Sequence, residues 1–191
     1  MIHAGTKYFG GHSDVNLGSV TTTAQYAEQL RLTHGDMGQC AGAEDTQLCL
    51  RGLRSLSMRM KHHEQAALDM AAWLAARSEV ERVLHPAFDS DPGHALWKRD
   101  FSGSSGLFSV VLKQGSAKAV AAMLDGLKLF GMGASWGGYE SLALPFDPSG
   151  YRTATKWDRP VPCIRFHIGL EDIEDLKADL DAGFARLKAT G

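Results

Sequence analysis

Residues 4–20 read AGTKYFGGHSDVNLGSV, with a lysine at position 7 between a threonine and an aromatic and Gly10, Gly11, His12, Ser13 and Asp14 close behind it. Glycine at this density marks a tight loop. A lysine on such a loop has two chemical uses: it pairs with a phosphate, or its amine attacks a carbonyl to form a Schiff base. The nucleotide-phosphate pattern GxxxxGK[ST] is absent, because Gly5, Thr6 and Lys7 have neither the earlier glycine nor the trailing hydroxyl. Taken alone, Lys7 reads most simply as a solvated charge, so the Schiff-base use depends on the rest of the chain.

Outward from the loop, residues 15–22 alternate apolar and small polar side chains and predict a strand, and 24–34 predict a short helix ending at Gly35. Residues 44–77, rich in Leu, Met, Ala, Arg and Gln, predict one long helix or two joined by a bend near 55–57, with Leu48, Leu53, Leu56 and Met60 on one face. Beyond position 78 the texture changes. Strands are expected at 79–84, at 107–112 (LFSVVL), at 129–132 and at 162–168 (PCIRFHI); a helical turn is expected at 95–99 and helices at 116–127 and 171–187. The last helix opens with acids, favourable at the positive end of its dipole, and repeats Ile173, Leu176, Leu180 and Phe184 at helical spacing. Residues 143–162, with four of the six prolines, read as an irregular exposed loop. This order predicts an α/β to α+β architecture, a small sheet covered by helices.

Composition removes several function classes. With 191 residues, 44% hydrophobic and 22% charged, the chain can bury a core as ordinary soluble globular proteins do. A net charge of -2 with dispersed basic residues argues against a nucleic-acid surface. No apolar run is long enough to span a membrane and no signal segment opens the chain, so a cytoplasmic location is expected. Cys40, Cys49 and Cys163 show no paired spacing and read as buried thiols rather than a disulfide or zinc set. His62 and His63 are adjacent, diverge by about 100° on a helix, and read as a solvated face rather than metal ligands. No metal is expected.

Four blocks occur in order along most of the chain. The first is Thr6, Lys7, Tyr8, Phe9, Gly11, His12 and Ser13; the second, Trp97, Lys98, Arg99, Asp100 and Phe101 with residues 103–108; the third, residues 134–142 (ASWGGYESL); the fourth, residues 164–172 (IRFHIGLED). Together they resemble the Cys/Met metabolism family of pyridoxal-phosphate-dependent enzymes, and the Ser-Trp-Gly-Gly-Tyr-Glu-Ser form is most similar to the bacterial β-lyases that act on cystathionine. The resemblance implies the C-terminal part of a fold-type I, aspartate aminotransferase-like enzyme: a remnant of the cofactor-binding large domain over 1–53 and the small domain over 54–191. It implies pyridoxal 5'-phosphate as cofactor, with Lys7 as its attachment residue and catalytic base and Thr6 at its phosphate. It further implies a small amino-acid substrate held by Ser135, Trp136 and Arg165.

Residue chemistry runs the same way. An arginine inside an apolar strand is costly to bury unless a carboxylate meets it, and a guanidinium can hold a substrate α-carboxylate bidentately. The implied reaction is β-elimination of L-cystathionine to homocysteine, pyruvate and ammonia. γ-Lyase or γ-synthase chemistry is the competitor within the family, and relatives of that kind tend to carry an aliphatic residue where Trp136 stands. In the resembled enzymes the lysine lies well past mid-chain, and the residues that pair with the pyridine nitrogen, stack on the ring and reach in from a neighbouring subunit precede it. A chain beginning six residues before the lysine is therefore expected to be impaired, or to be a non-catalytic module that docks to other subunits. A homo-oligomer is expected of the full-length enzyme.

Overall fold

The apolar run LFSVVL forms a strand because its β-branched and aromatic side chains pack on both faces of a pleated surface. In the computed structural model, which describes residues 1–157 and 162–191, this strand lies inside a four-stranded sheet. The described chain divides into two compact units, residues 1–58 and 59–191.

The second unit holds β3 (Val80–Leu84), β4 (Leu107–Leu112), β5 (Leu142–Phe146) and β6 (Cys163–His167), in the order β3-β4-β6-β5 with every pairing antiparallel. Along β4 and β6 the alternation places Phe108, Val110, Leu112, Ile164 and Phe166 on one face. Helices cover that face: the C-terminal half of α2 (Ala43–Ala75), α4 (Ala117–Asp125) and α5 (Ile173–Thr190) supply Met70, Leu74, Met123, Leu176, Leu180 and Phe184 to one core cluster. Each such side chain contributes about 2 kcal/mol by leaving water. α4 starts at Ser116, whose hydroxyl accepts the Ala119 N–H, and α5 at Asp172, whose carboxylate accepts from Glu174 and Asp175. A short α3 (His94–Asp100) precedes β4.

The first unit is built differently. Two three-residue strands, β1 (Ile2–Ala4) and β2 (Gly18–Val20), pair antiparallel around the lysine loop. α1 (Ala24–Asp36) follows, without a single buried residue. The N-terminal half of α2 completes the unit.

Several expectations change here. β2 is shorter than 15–22, because Val15 turns inward as part of the loop and is buried. The long segment is one helix, and its buried positions include Cys49, Gly52, Arg59 and His63, whereas Leu53 is exposed. No strand forms over 129–132. Gly131 instead makes an isolated bridge with Leu142, and the strand β5, from Leu142 on, takes up the first four residues of the stretch expected to be irregular. Its Pro145 is tolerated on an edge strand, where no inner ladder bond is required of it. The rest of that stretch includes 158–161, outside the described residues. His63 is fully buried rather than solvated, and Cys40 is exposed while Cys49 and Cys163 are buried. Among the described residues no helix is long and apolar enough to cross a membrane.

Candidate active site

In the first unit the lysine sits on a wound turn. The Lys7 N–H donates to Ala4 O (3.0 Å), Gly10 N–H to Gly5 O (2.9 Å) and Gly11 N–H to Lys7 O (2.8 Å). Thr6 locks this turn to its other end: its N–H donates to Leu17 O (3.1 Å) and its hydroxyl oxygen accepts the Leu17 N–H (3.0 Å). α2 passes directly beneath at Gly52, where an added Cβ would stand 2.1 Å from Phe9 O and 2.4 Å from Gly10 O. Only glycine permits this approach. Lys7 is half-buried, and the ring of Phe9 stacks on His3 with centroids 4.7 Å apart.

Pyridoxal phosphate presents an aldehyde and a phosphate, and the donor set fits both. Lys7 brings an amine. Thr6 brings a hydroxyl whose oxygen accepts the Leu17 N–H and which donates only at long range, with the Thr6 oxygen 3.4 Å from both Asn16 Oδ1 and Leu17 O.

In the second unit the structure brings Ser135, Trp136 and Arg165 together. Arg165 lies mid-strand on β6, opposite Ser109 on β4 and Leu144 on β5. It projects away from the core face occupied by Ile164 and Phe166. Its Nη2 donates to Ser135 O (3.2 Å) and more weakly to Gly133 O (3.4 Å), and its guanidinium carbon lies 5.5 Å from the centroid of the Trp136 ring. Among the described residues, no carboxylate pairs with it. Burial holds its pKa below the usual arginine range. Among the described residues its Nε and Nη1 take no hydrogen-bond partner, and an oriented, half-desolvated guanidinium of this kind is suited to a ligand carboxylate.

The segment that carries Ser135 and Trp136 is latched to β6 and to the turn after it. Gly137, at φ +82°, donates its N–H to His167 Nε2 (3.0 Å), and Leu170 N–H donates to Tyr139 O (2.7 Å). Ser141 donates its N–H and hydroxyl to the two oxygens of Glu171 (2.7 and 2.8 Å), and its own oxygen accepts the Gly169 N–H (2.8 Å). His167 is buried, which pushes its pKa down to about 4. Sequence reasoning assigned no role to His167, Ser141 or Glu171. The signal was present for His167, which stands two residues from Arg165 and therefore on the same strand face.

The family profile described as Cys/Met metabolism PLP-dependent enzyme matches residues 1–185. A putative cystathionine beta-lyase of Rhizobium johnstonii is 50% identical over 192 residues, covering 98% of this chain and 48% of that protein. A cystathionine beta-lyase of Salmonella typhimurium is 48% identical, covering 97% of this chain and 48% of that protein. The crystal structure of cystathionine gamma synthase from Xanthomonas oryzae pv. oryzae in complex with aminoacrylate and cysteine superposes with a TM-score of 0.87 at 36% identity, covering 100% of this chain and 50% of that one. The chain thus spans about half the length of the relatives it matches.

Proposed function

Because the chain belongs to the Cys/Met metabolism PLP-dependent enzyme family, we propose that it serves a carbon–sulfur β-lyase reaction on a thioether amino acid of the L-cystathionine class. The observation that carries the reading is Arg165, oriented by backbone carbonyls and unmatched by any carboxylate of the described residues. In this reading residues 1–53 form the cofactor-bearing part and 54–191 the substrate-bearing part, in a cytoplasmic protein. Bound pyridoxal phosphate supplies an electron sink for the carbanion formed at the substrate Cα.

The chain's own residues do the rest. Arg165 takes the substrate α-carboxylate, Ser135 borders the same group, and Trp136 forms an apolar wall beside the guanidinium. Lys7 accepts the Cα proton and returns a proton to the departing sulfur, which needs an amine held on a fixed turn. Thr6 donates to the cofactor phosphate. The alternative reading is a non-catalytic module that docks to other subunits.

The test is the near-visible absorption of the purified chain mixed with pyridoxal phosphate, compared with Lys7→Ala. A band that survives desalting in the unaltered chain and is missing from the variant is expected. No band, or one of equal strength in both, counts against Lys7 and leaves the docking module. Pyruvate release from L-cystathionine then distinguishes a working enzyme from a chain that merely holds cofactor.

A further inference from the structure

Residues 133–138 are held to β6 at two places. Arg165 draws in the carbonyls of Gly133 and Ser135, and His167 holds the Gly137–Gly138 peptide two residues further on. Ser135 and Trp136 lie on the span bounded by these attachments. His167 Nε2 stands 3.0 Å from Gly137 N and 3.2 Å from Gly138 O. In one neutral tautomer it accepts the Gly137 N–H, and in the other it donates to the Gly138 carbonyl. Both tie the bend to the strand. The ring itself is fixed, since His167 is 1% exposed and packs 5.2 Å from the ring of His63, whose Nδ1 is in turn 2.8 Å from Ile168 O. Gly137, with its positive φ, gives the bend a backbone conformation that other residues rarely adopt, so the bend has a defined shape to preserve.

We infer that His167 is a positioning residue for the proposed reaction: it fixes the Trp136–Gly138 bend, and through it the Ser135 carbonyl and the Trp136 ring that orient Arg165. This rests on the reading of Arg165 as the carboxylate clamp. A histidine that merely filled space could be replaced by phenylalanine, whose ring is of similar size but carries no donor or acceptor.

The full chain is compared with His167→Phe, His167→Gln and Arg165→Lys, by amide hydrogen exchange and by calorimetric titration with L-cystathionine. In His167→Phe the amides of 135–139 are expected to exchange about tenfold faster while those of β4 and α5 hold. Gln, which offers both a donor and an acceptor, is expected to restore most of the protection. Unchanged protection in the Phe variant, or a rise shared equally by the whole second unit, overturns the inference. Affinity for L-cystathionine is expected to fall about tenfold in His167→Phe and to recover in part with Gln; a loosened bend with unaltered affinity also overturns it. Unchanged affinity in Arg165→Lys, or no binding by the unaltered chain, defeats the clamp reading instead, and His167 is then judged on exchange alone.

Discussion

The second unit buries a continuous cluster drawn from four strands and three helices, while in the first unit the buried apolar side chains are Val15 and Cys49 and the helix α1 buries none. Ile2, Val20, Tyr26, Leu32 and Met37 of the first unit are all exposed. All four tryptophans and seven of the eight phenylalanines fall in the second unit, so composition already separates the two in part. The rest of the difference lies in whether apolar positions find partners: β4 and β6 meet three helices, whereas the lysine loop is held by backbone bonds and the close approach of Gly52. Burial contributes through area, and hydrogen bonds contribute about 1 kcal/mol net, so the second unit is the stable one.

The sharpest challenge to this contrast is a matched pair of truncations. Phe166→Ala, at 0% exposure in the core, is expected to cost about 3–5 kcal/mol, and Leu32→Ala, 57% exposed on α1, less than about 0.5 kcal/mol. Denaturant midpoints measure both, and equal shifts would abolish the distinction.

The next effect is acid. His63, His85 and His167 of the second unit are buried and desolvation depresses the pKa of each, His167 to about 4. Below an unfolded value of about 6.5 the unfolded chain binds protons that the folded chain refuses. The contribution of His167 is therefore fully present above about pH 6.5 and is lost as the pH falls toward 4, to a total on the order of 3 kcal/mol. No histidine of the first unit is buried. Denaturation curves at several pH values, with His167→Gln as the control, should show a shallower acid dependence in the variant; identical slopes would contradict the assignment.

The smallest effect sharpens the contrast from the other side. Gly52→Ala, despite a favourable helix propensity, drives a methyl group into two backbone carbonyls and is expected to cost about 1–3 kcal/mol, confined to the first unit. Hydrogen exchange should rise over 5–11 and stay unchanged in β4; a stabilised variant would show that the turn can yield.

Much of the second unit was legible in the sequence. LFSVVL and PCIRFHI announce their strands because their apolar content has no helical period, and the 3.6-residue repeat of Leu176, Leu180 and Phe184 appears unchanged as the buried face of α5. Arg165 was legible for the opposite reason, as a charge where a strand should have none. Residues 129–132 and β5 were misread because an apolar segment of four or five residues does not say whether it will pair. That depends on a neighbour outside the segment: β6 pairs with all of Leu142–Phe146, whereas Gly131 makes a single bridge, to Leu142. His63 was misread for a similar cause, since its polarity points outward while the Ile168 carbonyl, 105 residues away, satisfies it inside.

The sequence by itself determined the family, the lysine turn, the arginine strand and the apolar repeat of α5, because these reside in local pattern and residue chemistry. Tertiary structure alone decided the strand order β3-β4-β6-β5, the latching of 133–141 onto β6 and its following turn, and the burial of His63 and His167. Those features are contacts between segments about 20 to 100 residues apart, and no local period or propensity encodes which of the available surfaces such segments will meet.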